Sequence, residues 1–181
     1  DGALRVIEET GLRNLTLASV ARAAGVSRAS VYRTFAGRED LIDAVVGREL
    51  ATMESILSSR LRFSDDARAT VIAVVREVLA YFDDHRPLRA VLRHDAADLL
   101  PYLISDDAAH PTLVDLVCAL VLPRIENTAL ASALRPDAPR AVEHMVRVLY
   151  AHLLIPSAAL TDRDVAELVA DAIITEAIIA G

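Results

Sequence analysis

The sequence predicts an all-α fold, and three observations carry the prediction. Apolar residues make up 54% of the 181-residue chain and aromatics only 4%. The excess is largely Ala, Leu and Val, which favours helices packed on helices. Apolar positions recur at three- and four-residue spacings, the period of one helix face. Residues that start and stop helices, such as Thr16, Gly25, Ser27 and Pro87, punctuate those periodic segments. A chain of this length suits one or two compact domains with ample material for a core.

The first helix has only Ala3 to Glu9 available. Thr16 then caps a second helix by accepting a backbone N–H, and Leu17, Val20, Ala21 and Ala24 fall at i, i+3, i+4 and i+7. Gly25 follows the last periodic position, where a left-handed residue is needed and glycine has no Cβ to oppose it. Ala21 is small enough to let two helices cross closely. Ser27 offers the next N-cap, and Val31 with Phe35 gives the third helix its apolar face. Two short helices joined by a glycine turn read as a helix-turn-helix.

Gly37, followed by Glu39 and Asp40, marks the next helix start, with acids suited to the positive helix end. Val46, Leu50, Met53, Leu57 and Leu61 extend this helix from Gly37 to Leu61, out of the helix-turn-helix segment. Ser64-Asp65-Asp66 caps a further helix with Val71, Val75, Val78 and Phe82 on one face, ending near His85. Pro87 suits the first turn of a short helix whose Arg86, Arg89 and Arg93 form a solvated row facing Asp83 and Asp84. His94 to His110 reads as a short helix and a loop, broken by Pro101 and Pro111.

Leu113 to Leu122 is apolar nearly all round, which predicts a helix buried on several sides at the centre of its domain, interrupted or kinked at Pro123. Pro136-Asp137-Ala138-Pro139 opens a helix to about Leu154, with Val142, Met145, Val146, Leu149 and Leu153 at helical spacing. Thr161-Asp162 caps the last helix. Its stripe of Val165, Leu168, Val169, Ala172, Ile173, Ile174, Ala177, Ile178 and Ile179 is too wide for one partner surface. Either a second subunit covers the far side or the helix is sunk in its own core.

Charge narrows the function. Thr10 to Arg38 holds Arg13, Arg22, Arg28, Arg33 and Arg38 and no acid, in a chain of net charge −7. A locally cationic segment in an acidic protein suits a phosphate-facing surface. In helix-turn-helix proteins the N-terminal part of the second helix meets base edges while the first helix and the flanks touch phosphates. Arg28, Ala29, Ser30 and Arg33 are therefore the candidates for base reading, with Arg suited to guanine and the Ala29 methyl to a thymine methyl. Thr16, Ser27, Tyr32 and Arg38 suit phosphate contact. Tyr32 has an alternative as a core residue with its hydroxyl at the surface, and Arg22 as a solvated cation.

The run Gly11 to Leu41, with Thr16, Val20-Ala21, Ala24-Gly25-Val26-Ser27, Val31-Tyr32, Phe35 and Leu41 in register, resembles the DNA-binding domain of TetR-family transcriptional regulators. Arg38 stands where the family usually has lysine, and Ala29-Ser30 where it has Gly-Thr; charge and hydroxyl are kept. Family members usually have a longer first helix, often after a basic arm, so a longer N-terminus is expected. The resemblance implies a three-helix DNA-binding domain over residues 1–45 and a helical ligand-binding and dimerisation domain over 46–181.

It also implies a homodimer on a palindromic double-stranded operator, its subunits joined through the last two helices as a four-helix bundle. The interface would draw on Val142, Met145, Val146, Leu149, Leu153, Val165, Leu168, Val169, Ala172 and Ile173. A small-molecule effector would sit among the central helices, where Met53, Leu57, Leu79, Phe82, Leu92, Tyr102, Leu103, Cys118 and Leu122 are candidates, with ordinary core packing the alternative for each. Effector binding would swing the helix from Gly37 to Leu61, change the distance between recognition helices and release the DNA.

Other classes find little support. The histidines at 85, 94, 110, 144 and 152 are scattered and Cys118 has no nearby base, so no enzyme and no cofactor are expected. His94 and Asp98 stand i, i+4 beside Asp95, but surface hydrogen bonding is favoured over a metal site. The longest uncharged run, Val148 to Thr161, is too short for a bilayer and contains His152 and Pro156. One cysteine and no signal-like start point to the cytoplasm. A dimeric adaptor using the helix-turn-helix for protein contact is the main competing function.

Overall fold

The structure, a computed structural model, describes residues 1–61, 66–99, 111–155 and 157–174. They form two compact units, Asp1–Ile56 with Tyr81–Pro101, and Leu57–Ala80 with Tyr102–Gly181. Among the described residues every regular element is helical, apart from one isolated antiparallel bridge between Leu134 and Ile174. Helices α4 (Arg38–Arg60) and α5 (Ala67–Asp84) each contribute residues to both units.

The first unit contains α1 (Gly2–Thr10), α2 (Leu17–Ala24), α3 (Arg28–Thr34), most of α4, the end of α5, and α6 (Arg86–His94). Val6 and Ile7 of α1, Leu17, Val20 and Ala21 of α2, Val31 of α3 and Leu41 and Ile42 of α4 are buried, with Leu15 fully so. Gly2 lets α1 approach α2 closely: a Cβ there would lie 2.9 Å from the Ala24 Cβ. The unit reaches further along the chain than residue 45, because α6 packs on α1.

His85 begins α6 through its side chain, with Nδ1 accepting the Leu88 N–H at 3.3 Å and Pro87 in the first turn. With Nδ1 acting as acceptor, the ring proton sits on Nε2, which lies 2.7 Å from Glu49 Oε2. The Tyr81 hydroxyl donates to the same oxygen at 2.8 Å. Burial, reinforced by that carboxylate, pushes the Tyr81 phenol well above its ordinary range. Arg86 pairs with Glu8 at 3.3 Å, rather than with Asp83 or Asp84.

The α-helix stops where Asp95 caps it, and Ala96–Leu99 is a separate 3-10 turn. The i, i+4 relation between His94 and Asp98 therefore does not exist on one helix; their side chains lie outside what is described. Residues 100–110, including Tyr102, Leu103 and His110, also lie outside the described residues, as do Ser64, Asp65 and Pro156.

The second unit is built from the start of α5, α7 (Leu113–Ile125), α8 (Ala129–Ala133), α9 (Ala138–Leu154) and α10 (Asp162–Ile173). Its core joins Val71, Val75 and Leu79 of α5 to Val142, Val146 and Leu149 of α9 and Val165, Val169 and Ile173 of α10. The α5 stripe runs on through Leu79; Val78 and Phe82 are half-buried. The helix starts are locally encoded. Asp66 accepts the Ala69 N–H, Asp137 the Arg140 N–H, and Thr112 with Asp115 and Thr161 with Asp164 form reciprocal capping boxes.

Two expectations fail here. Helix α7 is not the buried centre of its unit: only Val114 and Ile125 are buried and Leu116 is exposed. The inner faces of α5, α9 and α10 fill the core instead, so α7 closes one side. Pro123 lies inside α7 without ending it before Ile125, and α8 follows, too short to have declared itself by periodicity. Helix α10 ends at Ile173, whose carbonyl accepts the Arg135 N–H at 2.7 Å. Ala177, Ile178 and Ile179 lie outside the described residues.

Candidate nucleic-acid interface

The interface is held by caps at each turn. Thr16 Oγ1 accepts the Ser19 N–H at 3.0 Å while Ser19 Oγ accepts the Thr16 N–H at 2.9 Å, which fixes the start of α2. Gly25 ends α2 with φ 69° and ψ 25°, its N–H bonding the Arg22 carbonyl and the Val26 N–H the Ala21 carbonyl. That pair of bonds is a Schellman closure, and the left-handed conformation explains the glycine. Ser27 Oγ accepts the Ser30 N–H at 3.1 Å to start α3, and Thr34 Oγ1 donates to the Ser30 carbonyl. The serine-capped helix buries Val31 alone.

What α3 leaves outside is chemically specific. Arg28, Ala29, Tyr32 and Arg33 are exposed, Tyr32 at 61%, so its alternative as a core residue falls. Arg28 and Arg33 make no hydrogen bond or ion pair among the described residues. Ser30 is half-buried and its hydroxyl is engaged with Ser27 Oγ at 3.0 Å, which makes it a weaker base reader than expected. Thr16 and Ser27 are exposed but serve as caps. Guanidinium, methyl and phenol groups thus project from one short helix, and groups of these kinds can meet groove edges and phosphates.

Arg38 is placed differently from the expectation. Its Nε donates to the Leu15 carbonyl at 3.1 Å and its Nη2 to the Leu12 carbonyl at 3.0 Å. The side chain braces the 3-10 turn Leu12–Asn14 between α1 and α2. A guanidinium fork can hold two carbonyls at once, which a lysine ammonium does less well.

Residues 1–45 match the family model described as bacterial regulatory proteins, tetR family. Over 85 residues, 46% of the chain, it is 38% identical to the HTH-type transcriptional regulator BetI of Burkholderia mallei and, equally, of Burkholderia pseudomallei. The similarity to TetR-family regulators thus lies in the N-terminal part of the chain. The matched segment spans 42% of the length of those relatives. The likeness to solved structures covers more of the chain and is one of fold. It superposes on the TetR-family repressor AlkX from Dietzia sp., implicated in biodegradation of n-alkanes, with TM-score 0.68, 18% identity, and coverage of 95% of this chain and 89% of that one. For the fatty acid degradation regulator FadR from Bacillus halodurans the TM-score is 0.60 at 15% identity, covering 94% and 90%.

The remaining predicted site residues divide by burial. Val142, Val146, Leu149, Val165, Val169 and Ile173 are each at most 5% exposed within the single chain. Side chains already sealed in their own core have almost no area left for a second subunit, so these six are corrected from interface to core. Leu168 at 56% exposed and Ala172 face outward, and Met145 and Leu153 are half-buried.

Of the effector-pocket candidates, Leu79 is fully buried, and Cys118 and Leu122 pack against the same core. Burial, with Glu143 and Asp115 adding to it, pushes the Cys118 thiol up, which makes it a poor nucleophile. Leu57 is half-buried in the second unit; Met53, Phe82 and Leu92 are half-buried members of the first. No group of three His, Cys, Asp or Glu able to hold a metal occurs among the described residues. No described helix is long and apolar enough to cross a membrane.

Proposed function

We propose that this chain is a sequence-specific DNA-binding regulator that acts as a homodimer on a roughly palindromic operator, represses transcription, and releases DNA when a small molecule binds its second unit. The observation that carries the reading is α3. It is capped at its start by Ser27, anchored by Val31, and presents Arg28, Ala29, Tyr32 and Arg33 to the outside with no protein partner for either arginine among the described residues. The acid-free segment from Thr10 to Arg38 supplies the positive field in a chain of net charge −7. The TetR-family match over residues 1–45 supports the same reading.

Dimerisation is supported by Leu168 at 56% exposed on α10, with Met145 and Leu153 of α9 half-buried. A two-fold dimer covers the same surface on both subunits, and Leu168 is the outward apolar side chain such an interface would cover. The protein is not an enzyme in this reading, and it works beside the DNA it regulates, in the cytoplasm.

A titration of the full chain on a duplex selected from a randomised library and on its scrambled counterpart, at several salt concentrations, tests the function. Specific binding is expected to exceed scrambled binding by at least about a thousandfold, with a steep salt dependence on both. Equal affinity for the two duplexes would contradict sequence-specific reading. No binding to either would favour an adaptor that uses the same surface for protein contact.

A further inference from the structure

Leu12 is held through both of its backbone polar groups by residues remote in sequence. Its N–H donates to Asp95 Oδ2 at 2.9 Å, across 83 residues, and its carbonyl accepts from Arg38 Nη2 at 3.0 Å. Asp95 is the residue that ends α6, and Arg38 is the first residue of α4. Leu12 opens the 3-10 turn Leu12–Asn14, which leads through Leu15 to Thr16 and α2. Gly11, the residue before it, has φ 85° and leaves a space that the Asp95 carboxylate fills: a Cβ at Gly11 would lie 2.6 Å from Asp95 Oδ2. Glycine is needed there for the backbone and for the approach of the acid.

We propose that Asp95 is a positioning residue for DNA binding: it holds the entry to the helix-turn-helix in register from α6 without touching DNA. This rests on the DNA-binding reading above. An N–H bonded to a carboxylate is a charge-assisted bond, stronger than one between neutral partners. The carbonyl on the other side of the Leu12 Cα is held by a guanidinium, so each of the two peptide units that flank Leu12 has one anchor. With the Asp95 anchor gone, the Leu12 N–H loses its carboxylate while Arg38 still holds the carbonyl, and arrangements in which α2 and α3 sit off their binding geometry become more populated. Apparent affinity falls in proportion to the competent fraction.

The test uses the full chain and a fluorescent duplex selected from a randomised library by the wild type. Asp95→Ala is expected to weaken binding roughly three- to tenfold, the scale of one such bond. The slope of affinity against salt should stay unchanged, because no phosphate contact is lost. Asp95→Asn keeps an acceptor oxygen and should recover most of the affinity. Hydrogen exchange at the Leu12 amide should accelerate in Asp95→Ala and not in Asp95→Asn. Gly11→Ala displaces the carboxylate, so it should cost less affinity in an Asp95→Ala background than in the wild type.

Wild-type affinity in Asp95→Ala, or Asp95→Asn as weak as Asp95→Ala, would overturn the proposal. A lower salt slope in Asp95→Ala would also overturn it, by placing the residue's effect at the DNA contacts themselves. If the wild type enriches no duplex at all, the DNA-binding reading fails. If it binds while Asp95→Ala binds equally well, only the role of Asp95 fails.

Discussion

Arg28 and Arg38 are both exposed arginines in the helix-turn-helix region, and replacing each by alanine should produce opposite signatures. Arg38 gives two hydrogen bonds to the carbonyls of Leu12 and Leu15, at 3.0 and 3.1 Å. A bond from a charged donor is worth about 1.5–3 kcal/mol when water is excluded. Arg38 is exposed, and both carbonyls can turn to water in its absence, so about 1–2 kcal/mol for the pair is the reasonable figure. For a chain of this length each kcal/mol moves the melting temperature by roughly 2–4 °C, so Arg38→Ala should melt about 2–8 °C lower. Arg38→Lys should recover part of that, because one ammonium does not reproduce the fork.

Arg28 has no protein partner among the described residues. Arg28→Ala should therefore leave stability within about 0.5 kcal/mol while weakening a selected duplex by roughly 1–3 kcal/mol and relaxing one base position. Scanning calorimetry and anisotropy titrations on selected and scrambled duplexes read both quantities. An Arg38→Ala variant that melts like the wild type but loses affinity on every duplex, with the salt slope lower by about one, would refute the brace. Arg38 would then be a phosphate ligand, as the sequence alone led us to expect.

Three further outcomes follow from particular contacts. Leu168→Glu, at an outward position on α10, should turn a dimer into a monomer in analytical ultracentrifugation without lowering helicity, whereas Val169→Ala, buried beside it, should cost about 1–3 kcal/mol of stability. Gly25→Ala meets open space, so its cost is conformational only, about 1–2 kcal/mol for a left-handed alanine, with Gly25→Asn milder; chemical denaturation distinguishes them. Hydrogen bonds from Thr112 and Thr161 hold the Asp115 and Asp164 carboxyls below the usual carboxylate range, and the Arg140 N–H does the same for Asp137. A depressed folded-state value means the stabilisation is present at neutral pH and lost as pH falls through the acid range. Thermal melts taken downward from neutrality should show the starts of α7, α9 and α10 loosening, and Asp164→Asn should flatten that dependence.

What the sequence made legible was local. Thr16, Gly25 and Ser27 act on partners within five residues, so their residue types nearly determine the turn. The same holds for Asp137 and Thr161, which start α9 and α10 where the spacing placed them. Amphipathic period was less informative, because it says that a face is covered and not by what. The family resemblance places Val142 and Val169 against a second subunit, and they belong to the core of their own. An all-round apolar stretch such as Leu113 to Leu122 similarly carried no signal of how many sides would be enclosed. The longest-range element, Asp95 on Leu12, had no sequence signal at all: an aspartate after a helix is ordinary, and its partner stands 83 residues earlier.

The most direct measurement is selection of duplexes from a randomised library by the full chain, followed by sequencing of the bound pool. A dimer that reads DNA through α3 should enrich a two-fold symmetric motif whose half-sites lie about one helical turn, or a multiple of it, apart. Arg28→Ala should lose preference at one position in each half. A bound pool indistinguishable from the starting library, or a motif whose profile Arg28→Ala and Arg33→Ala both leave untouched, would contradict DNA reading by this helix.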